Sequence, residues 1–252
     1  MYEDNNDNNE TKTTGDIVFS GYRKFSNFMY HYKAIVILTI AALAVGIVAM
    51  VQCAMRVEPD VHIVYAGPKL FDLHEMNMMR AAFHDIIGED LNNDGRIYAG
   101  ITRFNFMTDF QVEEAQARQE IVDINAVRIA QQQLGLEFIT GRNFIFFLSP
   151  EAYRAVRRTG NINNFMFIDM ALGYELPPEM LFDEEGLAIR LSELPIFEYF
   201  EGIGAFPPDT LLAFRDHRIE DGTNAAILAR HENNLKIFRR LVEFTPPEEK
   251  NQ

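Results

Sequence analysis

The chain has 252 residues, 48% of them hydrophobic, which is enough for one sizeable folded domain beside a membrane segment. Its net charge of -14 lies wholly C-terminal to one apolar run, because residues 57–252 carry 32 acids against 18 bases. An acidic surface of that kind repels nucleic-acid phosphates and anionic headgroups, and a single cysteine, Cys53, excludes an intrachain disulfide.

Residues 1–16 are rich in Asn, Asp, Glu and Thr and are expected to form a disordered tail. Over residues 17–32 the aromatics Phe19, Tyr22, Phe25, Phe28, Tyr30 and Tyr32 interleave with Arg23 and Lys24, and Lys33 follows. That mixture suits the water interface of a cytoplasmic leaflet. Residues 34–55 then carry no charge, between Lys33 and Arg56. At about 1.5 Å per residue, roughly 20 apolar residues cross a hydrocarbon core of about 30 Å, so 34–55 are read as one transmembrane helix in the lipid bilayer.

Arg23, Lys24 and Lys33 outnumber Arg56, which puts the N-terminus in the cytoplasm and the C-terminal domain outside it. A cleaved signal peptide would have an apolar region of about 7–15 residues and a small-x-small site. This run is longer and ends in Met50-Val51-Gln52-Cys53-Ala54-Met55, so an uncleaved signal anchor is expected. Val51 and Gln52 do not make a lipidation signal of Cys53, which is read as a free thiol. The expected organisation is a tail with its basic–aromatic segment (1–33), the membrane helix (34–55), a linker (56–60), an α/β domain (61–245) and a second tail (246–252).

Within the domain, 61–66 reads as a buried strand ending at Gly67-Pro68. Residues 71–87 follow with Leu73, Met76, Met79, Ala82, Phe83 and Ile86 at helical spacing. The turn 90–95 leads to a strand over 97–102. The longest helical stretch is 111–134, using Val112, Ala115, Ile121, Ile124, Ile129 and Leu134, with Gly135 as its stop. Residues 144–148 form the most apolar strand, expected at the sheet centre, and Ser149-Pro150 starts the next helix. Asn161 to Asn164 break it. Further on, 187–191 and 210–214 read as strands, 194–200 as a helical turn, 202–208 as a turn, and 224–244 as a terminal helix. Strands alternating with amphipathic helices give an α/β layered domain with a largely parallel sheet.

Asp90-x-Asn92-x-Asp94-Gly95 matches the first half of a calcium loop, with oxygens at alternate positions and glycine at the bend. Position twelve is Ile101 where such loops carry a bidentate Glu, so a further oxygen, such as that of Glu89, would have to complete the site. The alternative is a solvated turn without metal, and no other cofactor is expected. In open α/β sheets ligands collect beyond the carboxyl ends of the strands, which here places Gly67, Lys69, Arg103, Asn105 and Ser149 on a ligand rim. Gly67 would allow close backbone approach, and Lys69 and Arg103 would hold an anion. His62, His74, His84, His217 and His231 fall outside any His-Glu-x-x-His pattern, and no nucleophile-elbow, phosphate-loop or dinucleotide motif occurs.

Residues 138–148, with Gly141, Arg142 and Asn143 before the apolar strand, the break at Thr159-Gly160-Asn161-Ile162 and the later run 186–191 together resemble part of an extracellular solute-binding protein. The basic–aromatic lead-in, single anchor, Tyr65-Ala66-Gly67-Pro68 strand end and Asp-x-Asn-x-Asp-Gly turn resemble single-pass membrane proteins of Gram-positive bacteria. These resemblances imply an extracytoplasmic domain like one solute-binding lobe. Arg142 stands where that family often has an acidic residue.

The expected function is a non-enzymatic, membrane-anchored binding module for a small solute or a protein partner. The alternative is an assembly component of a surface complex, docking through Ile196, Phe197, Tyr199 and Phe200, and a surface enzyme is a third reading. A deep polar pocket at the strand ends favours solute binding, and an exposed apolar patch favours a partner.

Overall fold

The computed structural model describes residues 14–54, 58–140, 143–158, 165–216 and 224–247. The chain falls into two compact units, 1–57 and 58–252. The first contains α1 (Thr14–Ala54), whose apolar stretch Tyr30–Gln52 has the length and composition of a membrane span or a signal sequence. This helix is longer than the uncharged run alone. It takes in Thr14, Gly15 and Asp16 from the expected tail and the whole basic–aromatic segment. Met55 and Arg56 lie outside the described residues.

The second unit is a five-stranded mixed sheet of β1 (Val61–Gly67), β2 (Ala99–Asn105), β3 (Ile145–Leu148), β4 (Ala188–Arg190) and β5 (Leu211–Phe214), in the order β2-β1-β3-β5-β4. β1 pairs in parallel with both β2 and β3. β5 runs antiparallel between β3 and β4, so the sheet is mixed where a largely parallel one is expected from sequence. The helices are α2 (Leu73–Ile87), α3 (Asp109–Ala117), α4 (Ile124–Thr140), α5 (Pro150–Arg158), α6 (Ile168–Leu172), α7 (Pro195–Tyr199), α8 (Glu201–Gly204) and α9 (Ala225–Val242).

Both sheet faces are covered, which explains strands that read as unbroken apolar runs. Ile63, Tyr65, Phe147 and Leu212 point into one core with Met79 and Phe83 of α2 and Phe238 of α9. Val64, Ala66, Phe146 and Leu148 point into the other with Leu134 of α4 and Tyr153 of α5. All four residues of β3 are buried, as expected of a central strand. The methionines at 76 and 79 are core residues.

Local signals set several boundaries. Asp72 caps α2 in a reciprocal pair with Glu75, and Gly88 ends it in the left-handed conformation. Thr108 and Gln111 do the same at the start of α3. The expected helix over 111–134 is two helices. The chain breaks at 118–123, where Gln119 takes a positive φ of 60°, and Asp123 accepts a hydrogen bond from the Ala126 N–H at the new start. α4 then runs through Gly135 to Thr140. Ile121, assigned to an apolar stripe from sequence, lies in that break and is fully exposed.

Candidate functional site

The order of β1, β2 and β3 reverses at β1, so the topological switch point falls between the carboxyl ends of β1 and β3. Register extends Gly67 to Asn105 on one side, and Ser149 follows the β3 strand that pairs with β1 on the other. Sequence placed Arg103 and Asn105 beyond the second strand, yet both belong to it, because β2 runs three residues further than expected.

Most rim groups are engaged inside the fold. The Lys69 ammonium donates to the Ala205 carbonyl at 2.7 Å and pairs with Glu75 at 2.8 Å. The Lys69 hydrogen bond first, and then that from the Asp72 N–H, hold the Glu75 carboxyl below its usual range. Arg103 Nη1 donates to the Phe71 carbonyl at 3.1 Å. Ser149 caps α5 by accepting from the Ala152 N–H at 3.2 Å, while its own N–H donates to the Ala66 carbonyl. A Cβ on Gly67 would meet the Tyr65 hydroxyl at 2.5 Å, so a buried phenol covers this glycine. Tyr65 Oη accepts from the Lys69 N–H at 3.3 Å, and burial pushes its pKa up to about 12. Asn105 keeps a buried Oδ1 with no hydrogen-bond partner among the described residues.

The turn 90–95 is closed by its own side chains. Asp90 accepts from the N–H groups of Asp94 and Gly95, Asn92 from that of Asp94, and Asp94 from that of Arg96. Glu89 is held by Lys236 and Arg240, each at 2.6 Å, which keeps its carboxyl below the usual range. Ile101 lies within β2. The anchor of the turn is Asp60, which the sequence places in the linker. Its buried carboxylate accepts from Leu91 N at 2.7 Å, Asn92 N at 3.1 Å and Tyr98 N at 2.8 Å.

A second cluster was also missed. The Tyr153 hydroxyl donates to the Asp183 carboxylate, which also accepts from Leu187 N and pairs with Arg157 at 3.3 Å. Burial, then the Asp183 hydrogen bond, raises the Tyr153 pKa, so the phenol stays protonated. Phe182 lies between the guanidinium groups of Arg154 and Arg190, at 5.6 and 5.8 Å. These contacts fasten the segment before β4 to α5. No periodicity announces the contacts to α5, since Tyr153 and Arg157 lie 30 and 26 positions from Asp183.

That fastened segment and α6 flank an open cavity of about 270 Å³, lined by Phe167, Asp169, Glu175, Leu181 and Glu184 among others. A neighbouring groove of about 430 Å³ shares Phe167 and Glu185 with it and adds Met166, Met170 and Leu187. Phe165 bridges Arg215 just after β5, so these cavities lie at the opposite end of the sheet from the rim. Beside them Phe167, Met170 and Tyr174 keep 48%, 64% and 46% of their surface exposed. A further groove, of about 340 Å³, lies between α4 and α5 over Leu134 and Val156.

Of the aromatic set expected to dock a complex, Ile196 is core, while Tyr199 and Phe200 cluster with Phe244 at centroid distances of 5.0 and 5.4 Å. Gly141, Arg142, the break at 159–164 and His217 lie outside the described residues. Comparisons with protein-family models, with curated proteins and with solved structures return no match to the chain.

Proposed function

We propose that the chain is a non-enzymatic, membrane-anchored binding module, with its N-terminus in the cytoplasm and its α/β domain outside, that docks a protein partner. One contrast carries this reading. The cations at the strand ends are engaged within the fold, whereas Phe167, Met170 and Tyr174 stand exposed beside two adjoining grooves. Exposed apolar side chains grouped at a concave surface favour a partner over bulk water. A photo-crosslinking residue at Met170, in cells that express the chain, is expected to give a discrete adduct that weakens with Phe167→Ala. Equal labelling from a probe at exposed His74 on α2, or none from Met170, would overturn the proposal.

The groove between α4 and α5 favours solute binding as a second reading, because its floor is apolar and Gly135 leaves its wall open. A thermal shift of the full chain by a member of a solute panel, abolished by Gly135→Leu, is the expected result. Absence of any shift removes this reading.

A further inference from the structure

The surface around Phe167 combines apolar side chains with one sign of charge. Asp169, Glu175 and Glu184 line the 270 Å³ cavity, and among the described residues neither adjoining groove is lined by a Lys or Arg. Among the described residues, the Asp169 carboxylate accepts only from the Met170 N–H, and Glu175 and Glu184 form no ion pair. The nearby described cations have partners within the fold. Arg157 joins Asp183 and Glu185, and Arg239 Nε donates to the Ala171 carbonyl at 2.7 Å. Among the described residues, the three carboxylates of the cavity therefore have no cation partner.

Resting on the docking reading above, we infer that the segment received there is a basic, apolar peptide of a partner protein. Its apolar side chains enter the two grooves on either side of Phe167, and Lys or Arg side chains between them meet Asp169, Glu175 and Glu184. Two pockets sharing one wall suit an extended segment with pocket-filling side chains at alternate positions. Charge of one sign around them selects the partner and rejects acidic competitors. A neutral apolar segment would leave the three carboxylates unmatched, and an acidic one would be repelled.

The test uses the full chain in phosphatidylcholine nanodiscs, which carry no net charge, and three dye-labelled peptides. All three have Leu at every second position, with Lys, Ser or Glu between, and binding is read by anisotropy. The Lys peptide is expected to bind most tightly and to weaken as salt is raised. The Asp169→Asn, Glu175→Gln, Glu184→Gln triple variant replaces side chains at the surface, and is expected to weaken the Lys peptide by about tenfold while leaving the Ser peptide unchanged. Phe167→Ala is expected to weaken both. Equal binding of Lys and Ser peptides, with no effect of the triple variant, overturns the basic-partner inference and leaves the docking reading standing. Binding of no peptide, or binding indifferent to Phe167→Ala, overturns both.

Discussion

Asp60 shows how much one side chain can hold. Its carboxylate is the acceptor for three backbone N–H groups, two from the 90–95 turn and one from the residue before β2. Asp60→Ala leaves all three donors unmet and is expected to cost about 3 kcal/mol, read as a lower denaturation midpoint, with Asp60→Asn between it and the parent. Two titrating groups illustrate the pH dependence of the domain. The His62 pKa is lowered from its ordinary 6.5 by burial and then by Arg230, partly offset by Glu58. The unfolded chain therefore takes up this proton first, so stability falls as pH drops below 6.5 towards the folded value. The Tyr65 phenol shifts the other way, from 10.0 to about 12, so the unfolded chain loses its proton first and stability falls as pH rises through that interval. Denaturation midpoints measured across pH should decline at both ends, and Tyr65→Phe should make the alkaline decline shallower, leaving the part that Tyr153 contributes.

At the scale of elements, two glycines make opposite demands. α8 packs directly on α2, and a Cβ on Gly202 would stand 2.2 Å from the Met78 carbonyl oxygen. Gly202→Ala must push the two helices apart, at an expected cost of about 1–3 kcal/mol. A Cβ on Gly135, inside α4, meets nothing within 4 Å. Gly135→Ala is expected to stabilise by about 0.5–1 kcal/mol, and a reversed order of the two midpoints would contradict this packing. The same glycines mark what a sequence can and cannot convey. β1, α2 and the start of α5 are legible because a short apolar run, helical spacing and a Ser-Pro start are local signals. Gly135 reads as a stop because local propensity favours one, yet Leu134 and Phe138 bury on the same core and carry the helix through it. The break at 118–123 has no Gly or Pro to announce it. The strand-end residues are legible as a location from topology alone, but the Lys69 to Ala205 contact spans 136 positions and leaves no trace in the pattern. Likewise Phe167 reads as one of several apolar neighbours, and only the fold separates it from buried Ile168.

At the scale of the whole molecule, both hydrophobic cores are built entirely from residues of the second unit. A fragment beginning at Glu58 is expected to be soluble and to unfold in one cooperative transition, within a few degrees of the domain in the full chain. Dye binding typical of a molten state would contradict that independence. The order of the strands also dictates an order of events. β3 presents four apolar residues and joins β1 on one edge, but its other edge pairs only with β5, more than sixty positions later. β4 is made before β5 yet has no place in the sheet until β5 arrives. A chain that stops, or is cut, between Leu148 and Phe214 therefore carries an open, wholly apolar strand edge, the kind of edge that pairs with its own copies. The segment most at risk of aggregation during biosynthesis is thus the one that ends as the most deeply protected strand of the finished domain.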